Sequence, residues 1–194
     1  MPWLRRRDLL HSAVIRYQIT DGTIPPSPSA DFVQVRNDAL STRELIALVR
    51  RMMAQAQPVL VNDRIDVAIA AGSAGVHLKS NAIAPERVRK LVPRGFLITV
   101  ACHSEDDVLN AAGADYALLS PIFSPLSKPD TRQPLGLDEL ARIARRSKIP
   151  ILALGGITPD NAASCIAAGA GGIAGISLFR QTFEFVDRRA DGLV

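Results

Sequence analysis

Three similar phrases, each at the end of a predicted helix and just before a predicted strand, constrain the fold of this chain most strongly. They are AAGSAG, AAGADY and AAGAGG, and their glycines at positions 72, 113 and 169 fit helix C-termini, where glycine adopts the left-handed conformation without strain. Short apolar runs alternate with helical stretches along the chain and give eight predicted strands. Eight repeated strand–helix units favour a closed barrel over an open sheet. The sequence therefore predicts an α/β fold, a (β/α)8 TIM barrel, in a single domain over residues 1–194.

The connection between the first two predicted strands departs from this pattern. A strand over 16–20 and a strand over 31–36 are separated by a segment rich in proline and serine, which disfavours a crossover helix. Parallel neighbours normally need about a dozen or more connecting residues. We therefore predict that the first crossover helix is shortened or missing and that an extended loop replaces it. The barrel wall left uncovered there would be an apolar patch, so we expect a partner copy to cover it in a homo-oligomer.

Composition and charge limit the classes of partner. The net charge is +4, but the arginine pairs lie in separate predicted helices without a recognition element, so we expect no nucleic-acid partner. No apolar run is long enough to span a membrane and no secretion signal is visible, so we expect a cytoplasmic protein with no membrane partner. Cys102 and Cys165 lack metal-ligand spacing and are expected to be buried thiols. His77 and His103 are expected to be structural.

The stretch 150–177 predicts a strand, a helix and a second strand. Gly155 and Gly156 end the first strand, Thr158 followed by proline fits a helix N-cap, and Ser177 ends the second strand. In barrels of this type, phosphate commonly lies on the loops after the last two strands, next to a helix N-terminus. Two interpretations stay open at this point, a phosphate site and a glycine turn that only permits close packing.

Polar and charged side chains follow the predicted strands at their carboxyl ends, where barrels of this type carry their chemistry. Arg36 and Lys128, together with backbone N–H groups, predict an anion-binding ring for small phosphate substrates. Asp63 is the lone acidic group near them, and a carboxylate beside such cations suggests a Mg²⁺-bridged phosphate. An ion pair of Asp63 with Arg36 or Arg64 explains the carboxylate equally well, so both interpretations stay open.

The chain resembles the thiamine phosphate synthase/TenI superfamily through five segments, YQITD, VQVR, LVNDRIDVAIAAGSAGVHL, VACHSEDDVLNAAGADYALLSPIF and ILALGGITPDNAASCIAAGAGGIAGIS. The resemblance extends from about residue 16 to 178 and implies a TIM barrel. It also implies a transferase of thiamine biosynthesis that joins hydroxymethylpyrimidine diphosphate to thiazole phosphate and releases pyrophosphate. Mg²⁺ is the cofactor that this activity implies.

The resemblance implies roles for residues at the ends of the second and third strands. Gln34 and Arg36 match contacts to the pyrimidine diphosphate. Asn62 matches a contact to the pyrimidine, and Asp63 matches a magnesium ligand. Prepositioned cations and Mg²⁺ would stabilise the charge that develops on the departing pyrophosphate.

Further matches lie after the sixth, seventh and eighth strands. Lys128 matches a lysine that contacts the departing pyrophosphate, and Ser127 precedes it in the same loop. Gly156 and Ser177, with Gly155 in the same turn, match the cradle of the thiazole phosphate. Arg36 and Lys128 are therefore the predicted catalytic residues.

The chain also departs from the family pattern. Asp38 replaces a lysine and Ala82 replaces a second magnesium aspartate, so the implied Mg²⁺ site is weakened, and Lys79 is a candidate to substitute for the missing cation. Pro121 stands where TenI tautomerases have a proton-shuttling histidine. Three functions follow. We favour a divergent synthase; the alternatives are a non-catalytic or repurposed barrel that binds a thiazole or thiamine phosphate and, least favoured, a TenI-like thiazole tautomerase.

Overall fold

A computed structural model describes residues 14–55, 58–124 and 133–179, and these form a closed barrel of eight parallel strands in the order β1 to β8. The strands are β1 (Ile15–Thr20), β2 (Phe32–Val35), β3 (Val59–Asn62), β4 (Gly75–Leu78), β5 (Leu97–Cys102), β6 (Tyr116–Leu119), β7 (Ile151–Ala153) and β8 (Gly172–Gly175). The helices are α1 (Thr42–Met53), α2 (Ile65–Ala71), α3 (Pro85–Arg89), α4 (Glu105–Leu109), α5 (Gly136–Arg146) and α6 (Pro159–Ala167). This architecture confirms the predicted α/β barrel. Over the same residues, no helix combines the length and the apolar character that crossing a membrane requires.

Local sequence signals fix the ends of the helices. Thr158 caps α6 in a reciprocal pair of hydrogen bonds with Asn161, and Pro159 is the first helical residue. The glycines of the three repeated phrases have φ values of 74°, 90° and 96°. Because other residues are strained at positive φ, these glycines end each helix and turn the chain into the next strand.

The barrel interior combines an apolar cluster with buried polar side chains. Tyr17, Phe32 and Tyr116 pack together inside it, with ring centroids 6.1 and 5.8 Å apart along this series. Successive residues of a strand point to opposite sides, so every second residue of each strand points into the barrel. In each of the strands β2 to β5 one inward position carries a polar side chain, and all four are buried: Gln34, Asn62, His77 and Thr99. Polar side chains from four neighbouring strands therefore lie on one side of the barrel interior.

No helix connects β1 to β2, and residues 21–31 form an extended loop instead, as predicted. This loop bonds to side chains on the outer face of β1. Arg16 makes a bidentate ion pair with Asp31, with nitrogen–oxygen distances of 3.0 and 3.1 Å. Gln18 is fully buried; its side-chain nitrogen donates to the carbonyl of Pro25 at 3.0 Å, and its oxygen accepts from the N–H of Ser27 at 2.7 Å. The loop therefore supplies hydrogen-bond partners for the polar side chains on the outer face of β1.

The expected apolar patch at this wall was wrong. The third outward side chain of β1, that of Thr20, donates to the carbonyl of Ile24 at 2.7 Å, so the outer face of the strand is polar and covered. In the parts of the chain that the structure describes, the exposed large hydrophobic residues all lie elsewhere: Ile69, Ile83, Leu91, Leu109 and Ile176. The reason given for a homo-oligomer therefore no longer holds, and the homo-oligomer itself stays an untested prediction.

Candidate functional site

A buried amide pair lies at the carboxyl ends of β2 and β3. The side-chain nitrogen of Gln34 donates to the side-chain oxygen of Asn62 at 2.9 Å, and the two residues are 1% and 7% exposed. The oxygen of Gln34 and the nitrogen of Asn62 have no hydrogen-bond partner among the described residues. Buried polar groups are normally paired, so one acceptor and one donor remain for a ligand. The structure therefore brings together two of the predicted substrate-binding residues.

His77 lies beside this pair in a chain of hydrogen bonds through the barrel interior. Its Nδ1 is 2.8 Å from the hydroxyl of Thr99, which is in turn 3.2 Å from the hydroxyl of Tyr17. Burial, aided by the positive charge of Arg36, lowers the pKa of His77 to about 3. The imidazole is therefore neutral near pH 7, in agreement with a structural role.

Asp63 follows β3 directly and is an acidic group at the mouth of the barrel. Its φ of 59° is unusual for a residue other than glycine, and its N–H donates to the carbonyl of His77 at 2.7 Å. The carboxylate lies 3.0 Å from the ammonium of Lys79, the residue that follows β4. Asp63 is thus held by two contacts to the next strand, one from its backbone and one from its side chain.

The ion pair of Asp63 does not involve the predicted partners. Arg64 pairs with Asp66 at 2.6 Å instead, and Arg36 makes no ion pair with any residue in 14–55, 58–124 or 133–179. Sequence reasoning missed the pairing with Lys79. The signal for it was the position of two opposite charges one residue beyond the ends of consecutive parallel strands, whose ends lie side by side.

Magnesium fits these residues poorly. Asp63 is already paired with Lys79, and Ala82 offers no ligand atom where a second carboxylate was expected. Within the described ranges, no group of three or more His, Cys, Asp and Glu side chains could hold a metal ion. Mg²⁺ prefers several oxygen ligands, so a single engaged carboxylate makes a weak protein site.

The glycine turn after β7 packs tightly against the loop after β6. Gly155 and Gly156 have φ values of 93° and 64°. A Cβ on Gly155 would lie 2.8 Å from Cα of Pro121, and one on Gly156 would lie 2.5 Å from the carbonyl oxygen of Ser124. The N–H of Phe123 also donates to the carbonyl of Gly155 at 3.0 Å. Close packing is therefore one function of these glycines.

Backbone donors after β7 and after β8 are available for an anion. The N–H groups of Gly155, Gly156 and Ser177 donate no hydrogen bond to any other residue that the structure describes. The N-terminus of α6 begins three residues after Gly156, with its positive dipole end in this region. Asn161 strengthens the turn by donating to the carbonyl of Gly156 at 2.9 Å. The phosphate interpretation is compatible with this geometry and stays a prediction.

Two predicted site residues, Ser127 and Lys128, lie outside the described residues, and their roles remain predictions. His103 has the contacts of a structural residue, because its Nδ1 is 2.7 Å from the carbonyl oxygen of Ser120. Cys102 and Cys165 are buried free thiols, as predicted. Burial raises their pKa values to about 12 and about 11.

A family model, related sequences and a solved structure indicate the same protein family. Residues 26–179 match the family described as thiamine monophosphate synthase. A thiamine-phosphate synthase of Methanoculleus marisnigri is 44% identical over 154 residues, which cover 76% of this chain and 73% of that protein. One of Methanoregula boonei is 38% identical over 179 residues and 83% of each chain. The solved structure of thiamine phosphate pyrophosphorylase from Pyrococcus furiosus superposes with a TM-score of 0.71 at 30% identity, covering 84% of this chain and 86% of that one. The chain therefore belongs to the thiamine monophosphate synthase family.

Proposed function

We propose that this protein is a thiamine phosphate synthase, a transferase that couples hydroxymethylpyrimidine diphosphate to thiazole phosphate. The carbon–oxygen bond to the diphosphate breaks, its electron pair leaves with pyrophosphate, and the nitrogen of the thiazole forms the new carbon–nitrogen bond. The relatives named above carry this activity in their names. In this chain, the observation that supports it best is the buried amide pair of Gln34 and Asn62.

The free atoms of this pair are complementary to an aminopyrimidine. Such a ring presents an acceptor nitrogen beside an amino donor, and the pair offers one free N–H, on Asn62, and one free carbonyl oxygen, on Gln34. Leaving buried polar atoms unpaired costs about 1–3 kcal/mol each, so a ligand that pairs both atoms is strongly favoured over one that pairs neither. We infer that this pair recognises the pyrimidine.

Cations and backbone donors would bind the two phosphate groups. Arg36 is exposed two residues beyond Gln34, where it can reach the departing pyrophosphate, and we assign Lys128 the same task. Charge that develops in the transition state is stabilised best by donors already in place. We assign the thiazole phosphate to the turn of Gly155 and Gly156 and to Ser177, beside the N-terminus of α6. No step is assigned to a magnesium ion, because Lys79 engages Asp63 and a single carboxylate makes a weak protein site.

We also propose a cytoplasmic location, consistent with the two free cysteines. A second candidate function is a barrel that binds a thiazole or thiamine phosphate without turnover. The engagement of Asp63 by Lys79 favours it, because the carboxylate expected to hold the metal is occupied. A tautomerase is not proposed, since Pro121 offers no proton-transferring group.

The test is release of pyrophosphate from the two substrates by the wild-type protein and by the variant Gln34→Leu. We expect the variant to lose roughly ten- to a hundredfold in affinity for the pyrimidine substrate, because it removes one acceptor and leaves Asn62 unpaired. Affinity for thiazole phosphate should not change. Gln55→Leu, at an exposed position beyond α1, is the matched control and should behave as wild type. Saturable binding of thiazole phosphate without any pyrophosphate release would refute the synthase and support the second candidate.

A further inference from the structure

The ion pair of Lys79 and Asp63 lies at the rim of the barrel, not in its wall. Asn62 and His77 are partners in the register of β3 and β4, and Asp63 and Lys79 follow just beyond them. The side chains of Lys79 and Asp63 are 46% and 32% exposed. Both charges are therefore accessible to a ligand that enters the mouth.

The backbone fixes the position of the carboxylate. Asp63 has a φ of 59° and donates its N–H to the carbonyl of His77, which ties it to the end of β4. The buried amide pair ends at Asn62, the residue just before it. A ring held by that pair would place its substituents close to Asp63 and Lys79.

A contribution to stability explains this ion pair poorly. Exposed ion pairs contribute little to folding, because water and salt screen them. An ammonium carries three N–H donors, and in the described parts of the chain Lys79 has Asp63 as its one partner. Donors therefore remain for an anion. Arg36 lies at the same mouth, because it follows the carboxyl end of β2, the strand that pairs with β3.

We propose that the ammonium group of Lys79 takes the place of a metal ion at this site. Held on Asp63, this ammonium supplies to the diphosphate the positive charge that a magnesium ion would otherwise supply. The inference rests on the proposed function for the identity of the diphosphate substrate, and it follows from the poor fit of the described residues to a metal. Its consequence is that this protein binds pyrophosphate without Mg²⁺.

The experiment is calorimetric titration of inorganic pyrophosphate into the full-length protein, in EDTA and again in magnesium chloride. Wild type should bind in EDTA with an affinity within a few-fold of that in magnesium. Lys79→Met, which keeps most of the length of the side chain and removes its charge, should lose roughly ten- to a hundredfold in affinity in EDTA. Magnesium should restore part of this loss, because Asp63 becomes free to bind it. Lys79→Arg keeps the charge and should retain most of the affinity.

Lys90→Met is the matched control, since Lys90 is exposed at the end of α3 and away from the carboxyl ends of the strands. It should bind pyrophosphate as wild type does. The proposal is overturned if wild type binds pyrophosphate only with magnesium, if it does not bind at all, or if Lys79→Met equals Lys90→Met in EDTA. Turnover is measured separately. Binding in EDTA that depends on Lys79, without turnover, would refute the synthase alone; turnover with strictly magnesium-dependent binding would refute this inference alone.

Discussion

Replacing Gly156 by alanine, compared with the same change at Gly72, separates the cost of close packing from the cost of backbone strain at the turn after β7. Its φ of +64° costs an alanine about 1–2 kcal/mol in the folded state. The new Cβ would also lie 2.5 Å from the carbonyl oxygen of Ser124 and 2.7 Å from Cβ of Phe123, so backbone must move. Overpacking of this kind costs about 1–3 kcal/mol more. The expected loss in the free energy of unfolding is therefore about 2–5 kcal/mol.

Gly72 provides the matched control, because it has a similar φ of +74° and an added Cβ there would meet no atom within 4 Å. Gly72→Ala should lose about 1–2 kcal/mol, from strain alone. Urea unfolding of both variants measures the difference, which should be about 1–3 kcal/mol. Equal losses would refute the packing argument. The affinity for inorganic phosphate should fall in Gly156→Ala and stay unchanged in Gly72→Ala, because only the first substitution moves the turn assigned to the phosphate.

Three further predictions concern stability, pH and thiol reactivity. Gln18→Leu should lower the free energy of unfolding, measured in urea, by about 1–3 kcal/mol, because the buried N–H of Ser27 loses its acceptor. The exposed control Gln55→Leu should change it by less than about 0.5 kcal/mol. The pKa of His77 falls from 6.5 to about 3 on folding, so between these pH values only the unfolded chain binds this proton, and stability falls as the pH falls. His77→Gln should reduce the slope of the free energy of unfolding against pH by about 1.4 kcal/mol per pH unit between the two pKa values. Urea unfolding at a series of pH values measures this slope, and an unchanged slope would contradict the prediction. Cys102 and Cys165 should resist iodoacetamide at neutral pH in the native protein and react in urea, as mass spectrometry would show; rapid native labelling would argue against their burial.

Local signals made most of the barrel predictable. The sequence predicts a short helix over 65–71 that Gly72 ends, and α2 has these bounds. The sequence likewise predicts a helix that Ser41 caps and that runs to about residue 55. Ser41 does cap α1, in a capping box with Glu44, and the helix ends at Met53. Such signals act over a few residues, so they can be recognised without any knowledge of tertiary contacts.

The outer face of β1 shows how an available signal was overlooked. Its sequence IRYQIT alternates apolar and polar residues, and the apolar ones point into the barrel. A strand covered by a helix would be apolar on both faces, so the polar positions Arg16, Gln18 and Thr20 already indicated a different cover. The expectation of an apolar patch ignored this alternation.

The position of several predicted site residues could be predicted from the sequence, but their contacts could not. Strand order places Gln34, Asn62 and Asp63 at one end of the barrel, and this is where they lie. Their pairing depends on side-chain rotamers and on the left-handed backbone at Asp63, which no short pattern specifies. For this reason the amide pair and the partner of Asp63 emerged only from the three-dimensional arrangement.

The bonds between β1 and the 21–31 loop make residues 16–31 a single exchangeable module. A helix grafted in place of the loop would face Arg16 and Gln18 with no partners for their polar groups, and the loop grafted onto an apolar strand would lose its anchors. Redesign of this barrel must therefore exchange strand and loop together. The same coupling means that substitutions accepted in one of the two segments depend on the residues present in the other.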